Sequence, residues 1–279
     1  MHQLDRIEKK VCFGTLAISK RYCSMAKILA ADLKQYAPYI PLVVCTDLPE
    51  EFDECTNIIA FQHSQKGIFV CNNDKRFVIE KALSIFNTVI FIDADTRIID
   101  KVPENIEFLP GITANQFKNI AEVKMNKERK QELAILRKLI NKLNLSIEYV
   151  NWISPDLFAI TKDRGKENAF IKEWETIARY IQLKAIHCGY LHREDGNSIG
   201  IAAAKVGLAI TSEEMIKLRK IRKHEFVTSR SKKSETIIDK FVNKLYKLLF
   251  CKFRRWIGSP YRLSREILIA LKDFQFYFR

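Results

Sequence analysis

Apolar residues recur along the first hundred positions in two alternating patterns. Short β-branched runs give way to stretches in which apolar positions return every three or four residues. Lys10–Ala17 predicts a first strand, and Ser19–Tyr36 predicts a helix with Tyr22, Met25, Ala26, Leu29 and Leu33 on one stripe facing a sheet. Pro38 and Pro41 punctuate the chain before a second strand, Ile40–Asp47, and a further short strand is predicted at Ile58–Phe61. Asp74–Phe86 has helical spacing, with Phe77, Ala82, Leu83 and Phe86 as its buried positions. It leads into the strand Val89–Ile92. Strand and helix alternate throughout, which predicts an α/β fold with a mainly parallel sheet flanked by helices.

The second half is less regular. Lys118–Leu145 predicts charged helix, as one long helix or a hairpin, and Trp152–Thr161 returns to strand character. Glu167–Ile181 predicts a helix burying Phe170 and Trp174. A polar loop, His192–Ser198, precedes the small-residue helix Ile199–Gly207. Trp152 and Phe158 suit either the core or an acceptor pocket.

The Val89–Ile92 strand runs directly into Asp93-Ala94-Asp95. Ligands of open α/β sheets bind at such carboxyl ends. Residues two apart point the same way while the chain stays extended, so the two carboxylates repel unless a positive group sits between or beside them. A divalent cation suits, because Mg²⁺ or Mn²⁺ takes oxygen ligands and substrate phosphates can complete its shell. Asp also closes strands as an ordinary turn residue.

Gly14-Thr15 after the first strand, Lys75-Arg76 on a helix, the strand-end Asp93-Ala-Asp95 and the loop Glu194-Asp-Gly-Asn197 follow one another in an order that resembles the GT-A-fold glycosyltransferases. These Rossmann-related enzymes use nucleotide sugars, and the resemblance covers residues 10 to 210. It implies that Asp95 ligates Mn²⁺ or Mg²⁺, that Asp93 shares the metal or holds the ribose, and that Thr15, Asp47, Lys75 and Arg76 contact a UDP- or GDP-sugar. Glu194 or Asp195 would orient or deprotonate an acceptor hydroxyl, and His187, His192 and His224 are candidates for a late metal ligand. Breaking the bond from the anomeric carbon to the diphosphate leaves negative charge, which a metal or cationic side chain must meet. Each residue also has a plainer reading: Lys75 and Arg76 as solvated charges, Thr15 and Asp47 as strand ends, and Glu194, Asp195 and Asn197 as helix-start residues.

Three other readings compete. A haloacid-dehalogenase-type phosphatase also places Asp-x-Asp at a strand end, but expects Thr or Val where Arg97 stands and has its motif in the first strand. A sugar nucleotidyltransferase expects a Gly-rich, Arg-containing loop after the first strand, and Gly14-Thr15-Leu16-Ala17 does not supply one. The third is a non-catalytic membrane- or nucleic-acid-binding protein with a degenerate α/β body.

Charge alters the picture at one end only. Residues 220–279 hold 16 Lys or Arg against 5 Asp or Glu, which accounts for +11 of the net +14. Residues 1–225 are expected to form the transferase-like domain and 226–279 a basic helical tail. On a helical wheel Ile238, Phe241, Val242, Leu245, Leu248, Leu249, Phe253 and Trp256 share one arc, opposite Lys240, Lys244, Lys247, Arg254 and Arg255. That pattern suits an anionic membrane surface, or a helix packed on the enzyme's own core. So wide an apolar stripe disfavours nucleic acid. A lipid-linked or glycan acceptor would give such an enzyme reason to sit at a membrane. The polar Met1–Lys10 segment has no signal-peptide character, and the seven cysteines contain no Cys-x-x-Cys pair. A cytoplasmic protein, peripheral to the membrane, with reduced structural thiols is expected.

Overall fold

The computed structural model describes residues 11–68, 70–104, 106–122, 127–187, 195–224 and 252–278. The first half runs β1 (Val11–Ala17), α1 (Lys20–Tyr36), β2 (Leu42–Thr46), β3 (Ile58–Gln62), α2 (Lys75–Leu83), β4 (Thr88–Ile92), β5 (Thr96–Ile98), β6 (Gly111–Ala114) and β7 (Phe117–Asn119). The second half runs α3 (Lys127–Lys142), β8 (Asn151–Ile153), β9 (Leu157–Thr161), α4 (Lys166–His187), α5 (Gly196–Val206), β10 (Ile210–Thr211), α6 (Glu213–Lys220), β11 (Arg222–His224), α7 (Lys252–Ala270) and α8 (Phe274–Phe278).

The expected α/β architecture is present. Seven strands form the central sheet in the order β10-β6-β9-β4-β1-β2-β3. β1, β2, β3 and β4 run parallel, and β9 is antiparallel to both its neighbours, β4 and β6. Side chains alternate across the strands, as the period of two requires. Cys12, Val43, Val89, Phe91 and Phe158 pack on one face with Val78 and Ile79 of α2 and Phe170 and Trp174 of α4. Phe13, Leu42, Val44, Ile90 and Ile92 pack on the other with Leu29 and Leu33 of α1 and Met215 and Leu218 of α6. β1 therefore divides the sheet: the chain leaves it for β2 on one flank and returns through α2 to β4 on the other. Such a reversal opens a crevice at the strand ends.

Several local expectations are corrected. Tyr22 does not face the sheet; it is exposed, and Cys23 and Asp32 take the buried face of α1 alongside Ala26, Leu29 and Leu33. Asp32 is fixed there by a bidentate pair with Arg97, at 2.6 and 2.8 Å, and by the Ile98 N–H. Phe77 is half-buried, its ring tilted against that of His63, and the helical stretch expected from Lys118 begins instead as the short strand β7. Pro155 interrupts the strand predicted over Trp152–Thr161, giving β8, which pairs with β7, and β9, which enters the main sheet.

The C-terminal helices also depart from the expected separate tail. Leu263, Ala270, Phe276 and Tyr277 join the core built around α2 and α4. Arg179 of α4 holds the contact: its Nε donates to Glu266 at 2.6 Å, Nη1 to the Tyr277 hydroxyl at 3.3 Å and Nη2 to Glu175 at 2.8 Å. The arc Ile238–Leu249 lies outside the described residues. Among those described, no helix is long and apolar enough to cross a membrane, and Cys12, Cys23, Cys45, Cys55 and Cys71 are free thiols.

Removing one partner of a buried ion pair strands the other charge. Arg179→Leu is therefore expected to lower unfolding free energy by about 3 kcal/mol, measured by urea titration. A loss below about 0.5 kcal/mol, the size typical of surface changes, would mean that the C-terminal helices do not depend on this anchor.

Candidate functional site

The crevice at the ends of β1 and β4 is a cleft of about 150 Å³ lined by Leu16 at the end of β1 and Ile18 after it, Tyr22 of α1, Cys71, Asn72 and Lys75, and Asp93, Ala94 and Asp95 after β4. The chain does not stay extended past β4. The Asp93 carbonyl accepts the Thr96 N–H at 3.0 Å, so Asp93 to Thr96 forms a tight turn that leaves both carboxylates on the cleft.

Lys75, the first residue of α2, supplies the positive group that paired acids require. Its Nζ lies 2.9 Å from Asp93 Oδ1 and 3.1 Å from Asp195 Oδ2, and it donates to the Pro155 carbonyl at 2.9 Å. The Asp195 contact is electrostatic, without the alignment of a hydrogen bond. The ammonium also stands 5.1 Å over the Phe91 ring. Its side chain is only 9 % exposed, as is that of Asp195 at 2 %, whereas Asp93 keeps 28 %. Burial disfavours the lysine's charge, but Asp195 and Asp93 outweigh it and hold the ammonium firmly protonated. One cation cannot satisfy two carboxylates equally. Burial, opposed by Lys75 and assisted by the charge on Asp93, pushes Asp195 up to about 6.

Distant segments bring these three side chains together. Asp74 precedes α2 and does not cap it; its carboxylate reaches back to the N–H groups of Lys66 at 2.6 Å and Gly67 at 3.0 Å and to His63 Nε2 at 3.2 Å. That clamp fixes the approach of the chain to Lys75. Asp195 is positioned by α5, which lies directly on β8: a Cβ at Gly200 would stand 1.5 Å from the Asn151 carbonyl oxygen, and one at Gly196 2.2 Å from that of Ile153. Only glycine permits so close an approach.

The other expected site residues are dispersed. Thr15 is fully buried on the α1 face of the sheet, away from the cleft. Asp47 accepts the Ser19 N–H at 2.7 Å and so pins the β1–α1 turn, where Ser19 has a φ of 85°. Arg76 points to α4, donating to the Asn73 carbonyl at 2.7 Å, stacking on Phe77 at 4.3 Å and lying 3.7 Å from Glu175. Asp195 lies behind Lys75 and does not line the cleft. Glu194 and His192 are outside the described residues. Of the remaining histidines, His187 ends α4, whereas His224 pairs in the β11–β5 register with Thr96, the residue after Asp95.

Tyr22 and Cys71 are among the cleft residues that escaped the sequence reading. Tyr22 carries apolar spacing that suggested burial, yet its ring forms a cleft wall, and burial and then the charge of Asp95 raise its hydroxyl pKa. Cys71 also faces the cleft, but burial, with help from Asp74, pushes its thiol up to about 11, so it stays protonated and is no nucleophile.

Among the described residues no three His, Cys, Asp or Glu gather closely enough to hold a metal ion. Two carboxylates with substrate phosphates are nonetheless an adequate set for Mg²⁺ or Mn²⁺, and Asp93 and Asp95 at the cleft mouth fit that requirement. The chain matches no known family model and no curated protein by sequence.

The Asp195 carboxyl has an ordinary value of 3.8 and a folded value of about 6. Between these the folded state binds the extra proton, so the contribution is fully present below 3.8 and lost as pH rises through about 6. Asp195→Asn is expected to flatten the fall in unfolding free energy over that window, measured by urea titration at a series of pH values. An unchanged slope would overturn the assignment.

Proposed function

We propose that this protein is a metal-dependent glycosyltransferase of GT-A type, which moves a sugar from a nucleoside-diphosphate donor to an acceptor hydroxyl. The observation that carries the reading is the buried Lys75 ammonium, 2.9 Å from Asp93, at the mouth of a cleft that also exposes Asp95. A lysine and two acids at the ends of β1 and β4 suit a diphosphate: the lysine as a fixed positive charge, the acids as cation ligands.

When bound, a divalent cation would supply positive charge to the leaving diphosphate. Asp93 and Asp95, both on the cleft, would hold it. Lys75 would stay charged through the reaction and meet the charge that develops as the bond to the anomeric carbon breaks. As the bond from the anomeric carbon to the diphosphate breaks, the acceptor oxygen takes its place on that carbon and its proton passes to the departing diphosphate oxygen. Asp195 is a positioning residue in this reading: it holds Lys75 charged from behind and does not touch the donor. Tyr22 offers an aromatic wall for stacking a base, and Cys71 stays outside the chemistry. Thr15 and Arg76 have no part in donor binding, and Asp47 acts through the Ser19 turn.

A phosphatase with Asp93 as nucleophile remains the competing reading, and no observation of the cleft favours it. Isothermal titration of UDP and GDP with and without Mn²⁺ tests the proposal. Metal-dependent binding of one nucleotide is expected, reduced about 10- to 100-fold or more by Asp95→Ala. Binding indifferent to both the metal and Asp95 would contradict it.

A further inference from the structure

Three oxygens stand within 3.1 Å of the Lys75 Nζ: Asp93 Oδ1 and the Pro155 carbonyl at 2.9 Å each, and Asp195 Oδ2 at 3.1 Å. An ammonium has three N–H donors, so it meets a phosphate oxygen fully only by releasing one of these partners. The Pro155 carbonyl is backbone and the Asp195 side chain is only 2 % exposed, whereas Asp93 keeps 28 % and borders the cleft. Asp93 is therefore the partner that can be exchanged. It is also one of the two carboxylates placed to hold a cation.

We propose that Lys75 makes a divalent cation and a nucleoside diphosphate bind as a unit, through an exchange of partners at Asp93. The inference rests on the reading of Asp93 and Asp95 as the cation site. A cation arriving alone must displace the ammonium from Asp93 and then lie beside it, and neighbouring like charges oppose each other. A diphosphate arriving alone meets the carboxylates of Asp93 and Asp95. When the two arrive together, the cation takes Asp93 and the diphosphate takes the Lys75 donor that Asp93 gives up. No charge drawn out of water is then left without a counter-charge. Asp195 stays behind the ammonium throughout and keeps it in place. Lys75 thus lowers the affinity of the empty cleft for free metal and ties metal uptake to the donor. By linkage each ligand raises the affinity for the other by the same factor.

Titration of the full chain with Mn²⁺ in the absence of nucleotide, followed by the electron paramagnetic resonance of the free ion, tests the exchange. Lys75→Met is expected to bind Mn²⁺ alone about ten-fold more tightly than the native chain, and adding Asp95→Ala should abolish the gain. Structural damage would not produce a gain in metal affinity. Because Lys75→Met leaves Asp195 buried without its counter-charge, Lys75→Met/Asp195→Asn, which removes both charges, is measured beside it and should show the same gain. The proposal is overturned if neither variant binds Mn²⁺ more tightly than the native chain, or if the gain survives Asp95→Ala. Titrations repeated with UDP or GDP separate the two readings. Metal uptake by the native chain with nucleotide, and no gain in either variant, would overturn the exchange and leave the transferase reading standing. No uptake by any form with either nucleotide would overturn both.

Discussion

A buried ammonium between two carboxylates organises this molecule's cleft. Lys75 reaches Asp93 after β4 and Asp195 before α5, and its third direction is taken by the Pro155 carbonyl. Each charge taken out of water alone would cost several kcal/mol, so the three are stable only as a set. The surrounding structure serves that set. The Asp74 clamp on residues 66 and 67 fixes the start of α2, and the glycines of α5 allow it to lie on β8 and deliver Asp195. Asp93 and Asp95 both face the cleft, where the proposed cation would bind.

What the sequence made legible was local. The continuous apolar run Val89–Ile92 reads as a doubly buried strand, and acids at its end fall where α/β sheets bind ligands. The alternation of elements led equally directly to the sheet. Partnership across 120 positions was not legible: nothing in the spacing of Lys75 and Asp195 announces that the first residue of α2 pairs with the residue before α5. Thr15 and Arg76 illustrate the same limit. Their neighbours in sequence reach the cleft, but a period of two turns Thr15 to the α1 face, and one step around α2 turns Arg76 to α4. Tyr22 failed in the opposite direction, because a stripe at helical spacing does not reveal where the helix overhangs the end of its sheet.

The C-terminal helices divide their two faces between the fold and the outside. Their charged inner groups, Arg262, Arg265 and Glu266, contact the segment before α2 and the buried Arg179. Of the two readings the sequence left open for its basic C-terminal region, membrane contact or packing on the core, the inner face of α7 takes the second.

The central claim is that the Asp93–Asp95 turn is a cation site facing Lys75. Anomalous diffraction from crystals soaked with Mn²⁺ and a nucleoside diphosphate reads it most directly. A manganese peak at bonding distance from the Asp95 carboxylate, with diphosphate density reaching toward the Lys75 ammonium, is the expected result. Ordered nucleotide elsewhere on the fold, with no manganese at Asp93 or Asp95, would contradict it.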